Sequence, residues 1–257
     1  MWCNDKMMTV VLPCAGEGSR MALKTPKELY DIFPERGGVR LIDFSLAHIR
    51  AFQWPEQVRV AVVVRPWKVG VAEYVRQQLP GIDVDTVMFD DRYQEWPGSV
   101  YSAAGCFSAH NLVLLPDSCL KLTKTNITNE KETLIERMLG ALASAKVVFG
   151  HVPCRDKEIL GTMGAMRVEN NRVTAFQDKP RAALEIFNGF WGCYGFRREV
   201  GRELYDFLIQ SVRHEGACLE EQSFYPPGVI GLAAYFDLGT WDRIEIFREQ
   251  MGTNWTK

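Results

Sequence analysis

The chain has 257 residues, of which 47% are hydrophobic and 24% charged, and its formal net charge is −2. This is the composition of an ordinary globular protein. A nearly neutral charge provides no electrostatic footprint for nucleic acid or an anionic membrane surface, so we expect neither as a partner. The longest apolar run, Val60–Val64, is far too short to span a bilayer.

Cysteine usage indicates the cellular compartment. The seven cysteines are odd in number and scattered, and no Cys-x-x-Cys pair occurs. Free cysteines of this kind fit a reducing cytosol better than a secreted disulfide framework. Residues 1–6 also lack the apolar segment of a signal peptide, so the sequence predicts a cytoplasmic protein.

Short strands alternate with helices in the first part of the chain. The predicted strands are Met8–Pro13, Val58–Val64, Val84–Phe89, Leu112–Leu115 and Lys146–Val152, and the predicted helices are Leu41–Phe52, Trp67–Leu79, Ser99–Ala109 and Lys131–Ala145. This alternation indicates βαβ units and a mainly parallel sheet.

The pattern changes near residue 160. It continues with a hairpin of Thr162–Val168 and Arg172–Phe176, strands Asn188–Phe196 and Val229–Phe236, and helices Glu199–Val212 and Trp241–Met251. No linker or repeat interrupts the chain. The sequence therefore predicts an α/β fold in one compact domain, with a Rossmann-like mixed, mainly parallel sheet flanked by helices.

A glycine-rich loop follows the first predicted strand. It reads Leu12-Pro-Cys-Ala-Gly-Glu-Gly-Ser-Arg20 and is followed by Pro26-Lys27. Glycines let backbone N–H groups approach a phosphate, and the two cations can neutralise phosphate oxygens. Met21 stands where a dinucleotide fingerprint needs a third glycine, and no Gly-Lys-Ser/Thr of a Walker A loop occurs. A solvated surface loop is the alternative, but the position after the first strand favours phosphate binding.

Two aspartates stand at the ends of predicted strands, where open α/β sheets place ligands. Asp117 follows Leu112–Leu115, and Asp237 follows Val229–Phe236. Either one alone could be a helix cap or an Asx turn. Together they could hold one Mg²⁺ beside phosphates, because this cation prefers hard oxygen ligands. Elsewhere, Gln94 could hydrogen-bond a base edge and Gly98 could admit a flat base, although an ordinary Pro-Gly turn explains this segment equally well.

Six segments in order along nearly the whole chain resemble those of the sugar nucleotidylyltransferases, the family of glucose-1-phosphate thymidylyltransferase and its uridylyl, cytidylyl and guanylyl relatives. The segments are Leu12–Arg20 with Pro26-Lys27, Tyr93–Ser99, Leu114–Ser118, Gly164 with Val173–Pro180, Gly192–Phe196, and Phe236–Trp241. The resemblance implies the nucleotide-diphospho-sugar transferase type of fold. It also implies that about 1–155 forms a nucleotide-binding half and about 156–257 an acceptor-binding half.

The resemblance further implies individual roles. It makes Arg20 and Lys27 catalytic, assigns Asp117 and Asp237 to the metal, assigns Leu12, Ala15, Gly16, Gly18, Ser19, Gln94, Gly98 and Ser99 to the nucleotide, and assigns Gly164, Asp178, Lys179 and Tyr194 to the acceptor. The implied reaction joins a nucleoside triphosphate to a sugar 1-phosphate or a similar phosphorylated small molecule and releases pyrophosphate, with Mg²⁺ as cofactor. The implied partners are these small molecules, and a homo-oligomer is compatible with the sequence.

One departure from the family pattern concerns the acceptor. Asp178 replaces the usual glutamate, and a separate aromatic strand, Phe187–Phe196, carries Phe190, Trp191 and Tyr194. A shorter carboxylate in an aromatic pocket predicts a preference for something other than plain glucose 1-phosphate. The alternative is that Asp178 reaches the same hydroxyl after a small backbone shift and that the aromatic side chains simply belong to the core.

Two other functions stay open. In a glycosyltransferase of related fold, Asp90 and Asp91 would form the metal pair, but such an enzyme needs no glycine-rich triphosphate loop. A non-catalytic nucleotide-sugar-binding subunit could lose Arg20 and the metal aspartates, yet this chain retains them. The base, the sugar and the pathway do not follow from the sequence.

Overall fold

A computed structural model of the chain describes residues 8–21, 23, 25–34, 37–123 and 132–251, except for the side chain of Arg20. The strands are β1 (Met8–Pro13), β2 (Val58–Val64), β3 (Asp83–Met88), β4 (His110–Leu114), β5 (Ser118–Leu122), β6 (Val147–Pro153), β7 (Gly164–Glu169), β8 (Arg172–Asp178), β9 (Gly189–Arg197) and β10 (Gly228–Asp237). The α-helices are α1 (Asp43–Arg50), α2 (Val69–Gln78), α3 (Glu95–Tyr101), α4 (Leu134–Leu142), α5 (Lys157–Leu160), α6 (Gly201–Val212) and α7 (Trp241–Met251).

The strands form one mixed sheet in the order β3-β2-β1-β4-β9-β6-β10-β8-β7. The first four of these strands run parallel, β9 is antiparallel to both β4 and β6, and β10 is parallel to β6. The final part of β10 leaves β6 and pairs antiparallel with β5. The predicted α/β class, a Rossmann-like mixed sheet flanked by helices in one domain, is confirmed.

The sheet is covered on both faces, which explains the apolar sequences of its central strands. β1 alternates its side chains between two core clusters, with Val10 in one and Val11 in the other. Leu46 of α1 and Val75 of α2 belong to the cluster of Val10, whereas Phe207 of α6 belongs to the cluster of Val11. No helix in the described part of the chain combines the length and apolarity that crossing a bilayer requires.

Most predicted elements are present, and two differences bear on the cleft described below. The predicted helix Ser99–Ala109 corresponds to α3, which begins at Glu95 and ends at Tyr101 and is followed by a 3₁₀ turn at Ala104–Cys106. The prediction missed β5 completely. This strand follows β4 after only residues 115–117, and it is defined by pairing with β10 far along the chain.

Candidate active site

A cleft of about 780 Å³ opens beyond the carboxyl ends of β1 and β4. This is the edge at which open α/β sheets bind ligands. Many of the predicted site residues line the cleft, namely Ala15, Gly16, Lys27, Ser99, Asp117, Gly164, Asp178, Lys179 and Asp237. The structure therefore brings together the glycine-rich loop, both predicted metal aspartates and the predicted acceptor segment.

Lys27 and Asp117 form an ion pair inside the cleft. The Lys27 Nζ lies 2.5 Å from the Asp117 Oδ2, and the two side chains are only 12% and 15% exposed. Gly18 passes close to Lys27 with a φ of +69°, a left-handed conformation that favours glycine. Arg20 lies in a 3₁₀ turn, Ser19–Met21, and its side chain is outside the described part of the chain. The predicted role of Arg20 therefore stays a prediction.

The pairing of β5 with β10 places the second aspartate beside the first. Asp237 pairs with Ser118, the neighbour of Asp117, and the Leu238 N–H donates to the Asp117 carbonyl oxygen at 2.8 Å. The Asp237 carboxylate accepts a hydrogen bond from the Gly239 N–H at 2.9 Å and forms an ion pair with Arg243. Both predicted metal ligands thus stand at one end of the cleft, each paired with a cation.

Trp241, the first residue of α7, contacts the end of the glycine-rich loop segment. The Trp241 Nε1 donates a hydrogen bond to the Met21 carbonyl oxygen at 3.1 Å. Its indole also meets the Tyr30 ring edge to face, with ring centroids 4.9 Å apart. Because Trp241 lies just after the Asp237 turn, these contacts fix the loop relative to the two carboxylates.

The acceptor segment lies at the end of β8. Asp178 is 5% exposed, and its backbone N–H donates to the Ser211 Oγ at 2.9 Å. Burial raises the pKa of the Asp178 carboxyl, while the neighbouring Lys179 lowers it. Lys179 lines the cleft and has a φ of +43°. This left-handed conformation is strained for a residue other than glycine.

Two further residues line the cleft, Trp191 and Arg65. The sequence predicts Trp191 as part of an aromatic pocket, whereas sequence reasoning missed Arg65. The Trp191 indole packs so closely on Gly164 that a side chain at position 164 would collide with it. The Arg65 guanidinium stacks over Phe89 at 4.5 Å and donates from Nε to the Ala15 carbonyl oxygen at 3.0 Å. The aromatic strand around Trp191 was the signal for the first residue, whereas Arg65 follows a strand with no motif around it.

Several predicted site residues do not line the cleft. Tyr194 is 1% exposed and packs in the core against Phe149, and burial raises the pKa of its hydroxyl. The Gln94 Oε1 accepts a hydrogen bond from Arg213 at 2.5 Å instead of facing a base. Gly98 packs on Tyr93, since an added Cβ would lie 2.7 Å from that residue's carbonyl carbon. The remaining residues of this group are Leu12, which is fully buried, Gly18 and Ser19.

The two aspartates of the glycosyltransferase alternative form ion pairs with arginines. Asp90 is held by Arg92 at 2.6 Å, and Asp91 pairs with Arg65 at 3.1 Å. Neither aspartate lines the cleft. This geometry does not favour Asp90 and Asp91 as a metal pair.

The residues present fit Mg²⁺ only as a site shared with a substrate. Within the described ranges, no group of three or more His, Cys, Asp or Glu side chains could hold a metal ion. Asp117 and Asp237 supply two hard oxygen ligands, and Mg²⁺ is commonly held by one or two carboxylates together with substrate phosphates. A nucleoside triphosphate would complete this set.

Comparison with known proteins agrees with this geometry. No protein-family model matches the sequence, and no curated protein matches it. A UDP-glucose pyrophosphorylase from Acinetobacter baumannii superposes over 98% of this chain and 95% of its own, with a TM-score of 0.69 and 16% identity. A UDP-glucose pyrophosphorylase complexed with UDP-glucose superposes over 95% of this chain and 99% of its own, with a TM-score of 0.67 and 13% identity.

A third structure belongs to a Bacillus anthracis protein described as a glucose-1-phosphate thymidylyltransferase. It superposes over 98% of both chains, with a TM-score of 0.67 and 13% identity. Identities this low carry information about architecture, and the superpositions extend over nearly the full length of each chain. The chain therefore has the fold of the sugar-1-phosphate nucleotidylyltransferases.

Proposed function

We propose that this protein is a nucleotidylyltransferase that joins a nucleoside triphosphate to a phosphorylated small molecule, such as a sugar 1-phosphate, and releases pyrophosphate. One observation carries the proposal. A single cleft contains a glycine-rich loop with Lys27, two carboxylates at strand ends, and a second lysine, Lys179. These are the groups needed to hold two phosphorylated substrates against each other, and the fold supports the same class of reaction.

The proposed reaction is an in-line displacement at phosphorus. A phosphate oxygen of the acceptor attacks the α-phosphorus of the triphosphate, and the bond from that phosphorus to the bridging oxygen of the β-phosphate breaks. Pyrophosphate leaves with the electron pair of that bond. A phosphate monoester is already nucleophilic at neutral pH, so the chain needs no general base. Catalysis is then positioning and charge stabilisation.

The proposal gives a part to five charged residues. Lys27 holds the triphosphate, and Arg20 holds the leaving pyrophosphate. Asp117 and Asp237 would hold Mg²⁺, which when bound would neutralise charge developing on the phosphates. Lys179 holds the acceptor phosphate, because an ammonium needs only proximity to it.

Measuring pyrophosphate release tests the function directly. The wild-type protein is given each nucleoside triphosphate with a panel of sugar 1-phosphates and other phosphorylated acceptors, with Mg²⁺ present. We expect pyrophosphate only when both substrates are supplied. The variant Lys27→Met should lose most of this activity. Lys157→Met is its matched control, because Lys157 forms an exposed ion pair with Glu185 and does not line the cleft.

The same panel, extended by nucleotide sugars, distinguishes the alternatives. A glycosyltransferase would release a nucleoside diphosphate from a nucleotide sugar and no pyrophosphate from a triphosphate. A non-catalytic subunit would bind nucleotide sugar without turnover. Either result, obtained with folded protein, would reject the proposed function.

A further inference from the structure

A buried ion pair lies directly beneath the glycine-rich loop. The Lys68 Nζ lies 2.7 Å and 2.9 Å from the two carboxylate oxygens of Glu28, and the side chains are 2% and 0% exposed. Taking both charges out of water costs several kcal/mol per ion, and their attraction offsets this only partly. Well-packed apolar side chains often replace a buried ion pair at no cost in stability, so the pair calls for an explanation beyond stability.

The remaining contacts of Lys68 supply that explanation. Its ammonium also donates to the carbonyl oxygen of Cys14 at 2.9 Å and to that of Gly16 at 2.6 Å. Lys68 therefore connects the loop residues Cys14–Gly16 to Glu28, the residue that follows Lys27 in the sequence. Burial raises the pKa of the Cys14 thiol, so Glu28 is the anion that balances the Lys68 charge.

The direction of two peptide groups follows from these contacts. In a trans peptide the carbonyl and the following N–H point to opposite sides. Because the carbonyls of Cys14 and Gly16 point down to Lys68, the N–H groups of Ala15 and Glu17 point away from it. Ala15, Gly16 and Glu17 all line the cleft. Among the described residues, neither of these two N–H groups has a hydrogen-bond acceptor.

We propose that the Lys68–Glu28 ion pair is a positioning device that turns the Ala15 and Glu17 N–H groups into the cleft to bind phosphate oxygens of the triphosphate. This inference rests on the proposed function. Oriented backbone N–H groups form anion-binding concavities. Lys68 and Glu28 would thus control the affinity for triphosphate and pyrophosphate without touching either ligand, and they would leave the acceptor subsite unaffected.

The test replaces both charges together, because removing one partner alone leaves an uncompensated buried charge. The variant Lys68→Met with Glu28→Met should stay folded but unfold at a lower temperature than wild type, because the carbonyl oxygens of Cys14 and Gly16 lose their donor. Its affinity for Mg²⁺-pyrophosphate, measured by calorimetry, should fall roughly tenfold or more, the effect of losing about 1.4 kcal/mol. The KM for triphosphate should rise, and the KM for the acceptor should not change.

The control removes another ion pair from the same protein. Lys157→Met with Glu185→Met deletes an exposed pair and should leave both affinities as in wild type. A folded Lys68/Glu28 double variant that binds pyrophosphate as tightly as wild type would overturn the inference. Pyrophosphate binding is measured without turnover, so this outcome differs from an inactive wild-type enzyme, which would reject the proposed function.

Amide hydrogen exchange on the wild-type protein provides a second measurement if the double variant does not fold. Pyrophosphate should slow exchange at Ala15 and Glu17, because the bound anion becomes the acceptor for these two N–H groups. Unchanged exchange at both amides would contradict the inference.

Discussion

Replacing Lys27 with methionine should change the affinities for two ligands of the cleft in opposite directions. Lys27 is paired with Asp117 at 2.5 Å, and both side chains are largely shielded from water. The lysine therefore occupies a carboxylate that we assign to Mg²⁺. In the variant, the triphosphate loses a cation while the metal gains access to an unpaired carboxylate.

The two effects differ in size. A hydrogen bond to a charged group contributes about 1.5–3 kcal/mol, so freeing Asp117 should strengthen binding of metal alone by roughly tenfold or more. Loss of a donor that stabilises charge in the transition state costs roughly 10²–10³ in kcat, or about 2.7–4 kcal/mol. Turnover should fall by this factor even though the metal binds more tightly.

The assay uses Mn²⁺ as a paramagnetic substitute for Mg²⁺ and measures its binding to the nucleotide-free protein, beside pyrophosphate release at saturating substrates. Lys157→Met serves as the control and should alter neither quantity, because Lys157 is exposed and outside the cleft. The reasoning is refuted if Lys27→Met binds Mn²⁺ no more tightly than wild type, or if its turnover stays near normal.

Four further predictions concern the carboxylates and the acceptor end of the cleft. Asp117→Asn and Asp237→Asn should each abolish Mg²⁺-dependent turnover, since an amide oxygen is a weaker ligand for a hard cation; activity that persists in EDTA would contradict the metal assignment. Burial raises the pKa of Asp178, so the folded protein binds a proton at this carboxyl more tightly than the unfolded chain does. The stabilisation that results is complete below the ordinary aspartate pKa of about 3.9 and is lost as pH rises through the folded-state pKa. Asp178→Asn should therefore raise the Tm at neutral pH, and this gain should disappear in acid; a gain independent of pH would show that desolvation is not its cause. Gly164→Ala should lower stability by about 1–3 kcal/mol through its collision with Trp191, as measured by denaturant unfolding; an unchanged unfolding midpoint would rule out the close packing. Glucose 1-phosphate should show a lower kcat/KM than at least one other phosphorylated acceptor, and a clear preference for it over all acceptors tested would refute the argument from the shorter Asp178.

The parts of the fold that were predictable are those whose signals are local. β1, β2 and α7 have the bounds that the sequence predicts, because their apolar patterns start and stop at turn residues. The cleft was predictable for a related reason. Strand ends, glycines and charged residues mark the same edge of the sheet, so a linear motif such as the glycine-rich loop identifies it before the strand order is known.

Strand β9 shows what a local pattern leaves undecided. It is buried along nearly its whole length, and Trp191 and Tyr194 belong to the same core cluster, although of these two residues only Trp191 lines the cleft. Strict alternation would place residues three positions apart on opposite faces of the sheet. The pairing of β9 with β6 skips Gly192, so both side chains lie on one face, and Trp191 lines the cleft because it lies beyond the carboxyl end of β4.

The electrostatics of the cleft arise largely from contacts between distant parts of the chain. Lys68 meets Glu28 across 40 positions and Cys14 across 54, and Asp237 reaches Asp117 only because β5 pairs with β10. As a result, the cations Lys27, Lys68 and Arg243 each have an acidic partner before any substrate binds, in a chain whose net charge is only −2. In the proposed function, an entering triphosphate would exchange partners with the Lys27 and Arg243 pairs, and the carboxylates that it releases, Asp117 and Asp237, would hold the divalent cation. A substrate that brings positive charge with it, as a metal-nucleotide complex, would allow a nearly neutral protein to bind many negative charges at one site.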